Sequence, residues 1–213
     1  MLNKIILISG GTGVGTSKYS LELVKKVSSI DSIISTDSIR EVLRSVFHPD
    51  INPNLSHSTY ESGQTKNYSK KDEKSKELEI IRAYKNQCIP VHLGVESVIN
   101  RAIKENLSLI VEGIHIRPGF IEDSELFKSN KERFIQYLIK ISDSEVHKNR
   151  FKQRQSEAPE RLMEKYLKNF QEIRWIHDYL VERADKHPLV YQIDNIGKLE
   201  NGVDQMLRHF YTP

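Results

Sequence analysis

The sequence predicts an α/β protein: a doubly wound, parallel, five-stranded sheet with helices on both faces and a small helical lid. Three observations point there. Short apolar runs alternate along the chain with longer stretches whose apolar residues fall at helical spacing. A glycine-rich segment, Gly10 to Ser17, separates the first apolar run from the first helical stretch. Carboxylates stand at the C-terminal ends of two further runs, which is the edge where open α/β sheets bind ligands.

Each element has its own signal. Lys4–Ser9, "KIILIS", is continuously apolar, as a strand buried on both faces should be. Ser17–Ser28 repeats apolar residues at helical spacing. Ser32–Asp37 is a second strand, followed by a helix, "DSIREVLRSVF", capped by Asp37 or Ser38. Lys74–Asn106 is a long helical pattern that Pro90 is expected to interrupt. Leu107–Gly113 and Arg133–Ser142 are the third and fourth strands. Helical patterns then cover 143–153 and 159–186, Pro188–Asp194 is the fifth strand, and Lys198–His209 closes the chain. Strands alternating with helices call for right-handed crossovers and a sheet covered on both sides.

The 213 residues suit one domain, 1–213, with a proper core. A hydrophobic share of 38% against 29% charged is that of a soluble globular protein, and a net charge of +3 is too weak for a nucleic-acid surface. No aromatic–basic stripe marks a strand path either. One cysteine, Cys88, rules out an internal disulfide and a cysteine metal cluster, and reads as a small apolar helix residue. No run approaches the roughly 18 apolar residues of a membrane span, and "KIILIS" is too short for a signal peptide, so a cytoplasmic protein is expected. The polar, lysine-rich stretch His57–Glu77 marks 48–74 as a mobile substrate-side loop.

The glycine segment carries the chemistry. Gly10, Gly15 and Ser17 occupy three of the four fixed positions of the phosphate-binding pattern G-x-x-x-x-G-K-[ST]; the fourth, normally lysine, is Thr16. Gly10, Gly13 and Gly15 let backbone N–H groups turn inward around phosphate oxygens, and the helix N-terminus adds its dipole. Gly11, Thr12 and Val14 complete the cradle, and Ser17 is placed to offer a hydroxyl to Mg²⁺. The absent ammonium would have neutralised charge on the β- and γ-phosphates. Lys18 is no simple substitute, because two residues along a helix turn it about 200° from position 16.

Asp37, ending the second strand, can accept a proton from an attacking hydroxyl, and Arg40, a helical turn on, can grip an anion in bidentate fashion. The plainer alternative is a helix cap beside a solvated arginine. Glu112 ends a buried apolar strand, the pattern that holds Mg²⁺ directly or through water and borders the substrate. His115 and Arg117 follow it toward the cleft as candidate acceptor-binding residues. His147, Arg150, Arg154 and Arg161 mark 143–161 as a lid; Arg150 and Arg154 share one helix face and are candidates to stabilise transition-state charge, with Arg161 toward the nucleotide. The alternative there is a solvated charged face pairing with Glu145 or Glu157.

The stretches "GGTGVGTS", "ISTDSIREVLR", "STYES", "VINRAIKENLSLIVEGIHIRPG" and "RFKQR", in that order, resemble the archaeal 2-phosphoglycerate kinase family from Ile6 to about Asp194. The resemblance implies a P-loop NTPase-type fold and an ATP- and Mg²⁺-dependent small-molecule kinase, in a family that often has threonine at position 16. Longer members carry an N-terminal ATP-cone domain, whereas the sequence here starts directly at the first strand. The family name also covers mevalonate 3-phosphate 5-kinase, whose acceptor shares a carboxylate, a phosphate and a free hydroxyl. The expected partner is therefore a small phosphorylated hydroxy acid, with no nucleic acid and no membrane, and a homodimer is left open. A nucleotide-binding regulatory module without phosphotransfer is the reading of another class, with Thr16 as its argument.

Overall fold

The computed structural model describes residues 3–65, 67–157 and 163–211, without the side chains of 153–157. Strand β1 (Ile5–Gly10) leads into helix α1 (Thr16–Lys26), then β2 (Ser32–Ser35) and α2 (Thr36–Val46). Short 3₁₀ turns at Pro53–Ser56 and Tyr68–Lys70 precede the 32-residue α3 (Glu73–Lys104) and β3 (Leu109–Gly113). The chain continues through α4 (Glu125–Lys128), β4 (Phe134–Lys140), α5 (Ser144–Glu157), α6 (Met163–Lys168), α7 (Phe170–Asp185), β5 (Val190–Asp194) and α8 (Leu199–Tyr211).

The five strands are all parallel, in the order β2-β3-β1-β4-β5. From β1 the chain crosses to the β2 edge, returns to β3 and then passes β1 to β4 and β5, so the crossovers leaving the neighbouring strands β1 and β3 run in opposite directions. Every residue of β1 is buried, and its side chains alternate between two cores as strand geometry requires. Ile6 and Ile8 pack with Tyr19 and Leu23 of α1 and Val203 and Met206 of α8. Ile5 and Leu7 pack with Val91, Val95 and Ile99 of α3. Each fully buried aliphatic side chain contributes roughly 1.5–3 kcal/mol, so these two layers fix the C-terminal edge on which the site is built. A third cluster joins α3, α7 and β4 through Tyr84, Cys88, Leu180 and Leu138. Cys88 is indeed an interior residue, its thiol pushed up to about 12 by burial.

Several boundaries differ from expectation for physical reasons. Pro90 does not interrupt α3. The helix buries residues on both sides of it, among them Gln87, Cys88, Val91 and His92, and that packing outweighs one missing backbone N–H. The stretch expected as one helix over 159–186 is split. Residues 159–162 lie outside the described residues, and Asn169 then separates α6 from α7, its side chain donating to the Lys165 carbonyl at 2.8 Å and accepting from Gln64 at 2.7 Å. The 48–74 stretch carries buried Leu55, Thr59 and Tyr60. Asp37 neither ends β2 nor caps α2: Ser35 is the N-cap, accepting from the Asp37 N–H at 3.2 Å, and Asp37 stands in the first turn.

Candidate active site

A cleft of about 490 Å³ opens at the C-terminal ends of β1 and β3, within the usual size for a small-molecule site. The glycine segment forms its floor. Gly13 and Gly15 have φ of +89° and +100°, the left-handed region in which only glycine is unstrained. Gly13 has a second constraint, since a Cβ there would meet Phe151 Cζ at 2.5 Å. Gly10, Gly11, Thr12, Thr16 and Ser17 also line the cleft, whereas Val14 turns its side chain into the core. The loop is braced from outside. Asn195, just past β5, donates to the Val14 carbonyl at 2.8 Å, and His147 Nε2 donates to the Thr12 carbonyl at 2.8 Å. Burial holds the His147 imidazole down to about 4, so it is the neutral ring that braces the loop.

Glu112 and the start of α1 meet directly. Thr16 Oγ1 donates to Glu112 Oε2 at 2.7 Å and Ser17 Oγ to Oε1 at 2.9 Å. Where the common motif has an ammonium, this chain therefore has a hydroxyl bound to the strand-end carboxylate. Lys18 lines the cleft as well, despite the 200° rotation. At the first turn of a helix whose end faces the ligand, rotation about the axis does not take a residue away from the opening.

Asp37 lines the opposite wall, its side chain 69% exposed and without a capping duty, which leaves its carboxylate open to a ligand. Arg150 of α5 lies by Gly15, half-buried, and donates from Nη2 to the Asn195 carbonyl; burial lowers its guanidinium below the ordinary arginine value. Tyr166, which carried no sequence signal, also lines the cleft and stacks on Phe151 at 4.9 Å between ring centroids. The side chain of Arg154, and Arg161 altogether, lie outside the described residues.

Three expected acceptor residues stand behind this wall. His115 is fully buried with both ring nitrogens engaged, to Thr36 Oγ1 and Gln87 Oε1, each at 3.1 Å. Burial, aided by Arg40, drives it down to about 3, so it is neutral and its 3.8 Å approach to Asp37 is no ion pair. The expectation that His115 touches substrate is thereby corrected: positive φ at Gly113 turns the chain so that this side chain points inward. Arg40 donates to the His57 carbonyl at 2.7 Å and to Glu41, and Arg117 sits near Tyr84, Cys88 and His92. Each keeps a buried Nε without a hydrogen-bond partner among the described residues.

Among the described residues no group of three or more His, Cys, Asp or Glu could hold a metal alone. One carboxylate and one hydroxyl, all-oxygen donors, suit Mg²⁺, which fills the rest of its shell from phosphate and water. No described helix is long and apolar enough to cross a membrane.

No protein-family model matches the chain. Sequence similarity is nonetheless extensive. The chain is 35% identical over 208 residues to a 2-phosphoglycerate kinase of Methanothermobacter thermautotrophicus, covering 96% of this chain and 65% of that protein. It is 37% identical over 203 residues to the 2-phosphoglycerate kinase of Methanocaldococcus jannaschii, covering 95% and 62% respectively. The chain thus spans somewhat less than two thirds of the length of these curated relatives. Among solved structures it is similar to a gluconokinase from Sinorhizobium meliloti, at TM-score 0.52 and 11% identity, over 99% of this chain and 97% of that one. A shikimate kinase from Acinetobacter baumannii in complex with shikimate matches at 0.50 and 14%, over 98% and 93%. The fold is that of the P-loop kinases, and the resemblance to the archaeal 2-phosphoglycerate kinases extends over almost the whole chain.

Proposed function

On the premise of that shared sequence and fold, we propose that this chain is an ATP-dependent kinase that phosphorylates a hydroxyl of a small phosphorylated hydroxy acid, 2-phosphoglycerate being the acceptor its relatives' name indicates. The observation that carries the reading is the convergence of the glycine loop, the α1 N-terminus and Glu112 in one cleft, with the open carboxylate of Asp37 opposite. ATP and Mg²⁺ are the cofactors this requires, and the inward loop and the all-oxygen pair of Ser17 and Glu112 suit them. When bound, the metal–nucleotide supplies the transferable phosphoryl group and neutralises its charge.

The chain's own contribution is position and field. Backbone N–H groups of Gly10 to Ser17 hold the phosphates in register. Asp37 orients the acceptor hydroxyl and takes its proton. Arg40 and Arg117 stand outside the cleft lining and are the proposed cations for the acid's anionic groups, each with an Nε–H that has no partner among the described residues. Arg150 faces the phosphate end, with Arg154 and Arg161 the further candidates there. Residues 143–161 act as the lid and 48–74 as the substrate-side loop. The test is ADP release with ATP and Mg²⁺ against 2-phosphoglycerate, mevalonate 3-phosphate, mevalonate and glycerate. Turnover highest with 2-phosphoglycerate supports the proposal; tight nucleotide binding with no acid-dependent turnover would leave a regulatory nucleotide module instead.

A further inference from the structure

Behind the Asp37 wall runs a chain of buried polar side chains that this reaction scheme leaves without a task. Gln87 of α3, His115 after β3 and Thr36 at the start of α2 are each 0% exposed. Their directions are fixed from one end. Gln87 Nε2 donates to the backbone carbonyls of Asn54 and, at 2.9 Å, of His57. Its Oε1 is therefore the acceptor toward His115, and Nε2 of that ring carries the proton. A neutral imidazole has one N–H, so Nδ1 offers a lone pair and the Thr36 hydroxyl donates to it. The other tautomer would set two acceptors against each other at 3.1 Å.

The ends of the chain are also anchored. His92 Nε2 donates to the His115 carbonyl at 2.6 Å while its ring stacks on Phe120 at 4.1 Å. Thr36 packs so closely on Gly113 that a Cβ there would overlap Oγ1. Arg40, on α2, grips the same turn as Gln87 through the His57 carbonyl.

We infer that Gln87, His115 and Thr36 form a positioning relay, tying the 54–57 turn to the first turn of α2 and setting Asp37 against the Glu112–Gly113 end of β3. The relay rests on the kinase reading for Asp37's task. It also determines what Asp37 meets: the ring nitrogen 3.8 Å away is an acceptor, so the carboxylate gains no N–H donor there and keeps its lone pairs for the acceptor hydroxyl. Movement of the 54–57 turn reaches Asp37 through three hydrogen bonds, without any residue of the relay touching substrate.

Thr36→Val keeps the shape and removes the hydroxyl, while Thr36→Ser keeps the hydroxyl. The expected result is a fall in kcat of about tenfold or more for Thr36→Val, the usual scale for losing an outer orienting hydrogen bond. KM for ATP should stay within about twofold, and Thr36→Ser should recover most of the rate. Equal rates in wild type and Thr36→Val, equal losses in both variants, or a loss confined to KM for ATP overturns the relay. Side-chain ¹⁵N NMR of the wild-type protein is the second measurement, and it needs neither turnover nor a folded variant. His115 should show a protonated Nε2 and bare Nδ1 from pH 8 to 5; the opposite tautomer, or titration in that range, overturns the inference. A wild type that turns over no acid would refute the kinase proposal while the NMR result still decides the relay.

Discussion

Replacing Gly113 by alanine tests the junction on which both carboxylates depend. Gly113 has φ of +135°, a conformation that costs a residue with a side chain about 1–3 kcal/mol. The added methyl group would also overlap the Thr36 hydroxyl, which belongs to a fully buried side chain. That hydroxyl must rotate or retreat, which breaks its hydrogen bond to His115 and leaves a buried acceptor unmet, at a further 1–3 kcal/mol or so. The two effects together give roughly 2–6 kcal/mol of destabilisation. In a chain of this size each kcal/mol lowers Tm by about 2–4 °C, so Gly113→Ala should unfold about 4–24 °C early. Thermal and urea unfolding read this directly. Gly197→Ala is the control, because a Cβ there meets nothing within 4 Å, and its change should stay within about 0.5 kcal/mol. If Gly113→Ala lies within about 1 kcal/mol of wild type, the close approach of β3 to α2 is not as described and the case for the relay loses its anchor.

Four other outcomes are expected. Asp37→Asn should lower kcat by about 10²-fold or more with ATP binding intact, and near-normal turnover would remove its assigned task. Arg150→Ala should reduce turnover more than nucleotide affinity, measured by comparing kcat with the dissociation constant; the reverse pattern would make Arg150 a loop brace acting through Asn195. Thr16→Lys removes a donor from Glu112 and sets an ammonium beside it, so the Mg²⁺ concentration needed for half-maximal rate should rise about tenfold, and a faster enzyme with unchanged Mg²⁺ demand would contradict this. Burial holds His92 and His147 down to about 4 and His115 to about 3. Unfolding lets each take a proton below about pH 6.5, so stability is complete above that pH and is lost progressively as pH falls toward 4, by about 1.4 kcal/mol per pH unit for each histidine. Urea midpoints at pH 7 and pH 5 should therefore differ clearly.

The sheet was legible because parallel strands covered on both faces need near-continuous apolar runs, and "IILI" (Ile5–Ile8) and "LIV" (Leu109–Val111) supply them. The shape of the glycine loop was legible because glycine is needed where φ turns positive, and Gly13 and Gly15 fall there. What sequence could not settle was long-range. Ser35, Thr36, Asp37 and Ser38 include several good caps in a row, and only the pairing of Ser35 with Glu112 across β2 and β3 assigns the cap to Ser35 and leaves Asp37 exposed. Pro90 reads locally as a break, yet burial around it decides otherwise. His115 looks cleft-bound in "VEGIHIRPG" until the positive φ of Gly113 turns it inward. Gln87 gave no sign at all, since a mid-helix glutamine acquires its task only from partners about 30 residues away on either side. Asn195, after β5, had the one usable hint: a polar side chain at a strand's C-terminal end, opposite the loop it braces.

The missing lysine can now be placed in a charge count. Among the described residues lining the cleft, Lys18 and Arg150 stand against Asp37 and Glu112, so the charged side chains there cancel. A polyphosphate gains little net Coulombic attraction from such a set. What remains are the inward N–H groups, the α1 dipole and the metal that Ser17 and Glu112 are suited to hold. Two hydroxyls on one carboxylate keep Glu112 anchored at the helix start, where an ammonium at position 16 would compete with a cation for it. On this argument threonine is no lapse in the motif. Under the proposed function it moves neutralisation from a fixed side chain to the metal, and nucleotide binding should then depend more steeply on Mg²⁺ than in a loop that carries the lysine.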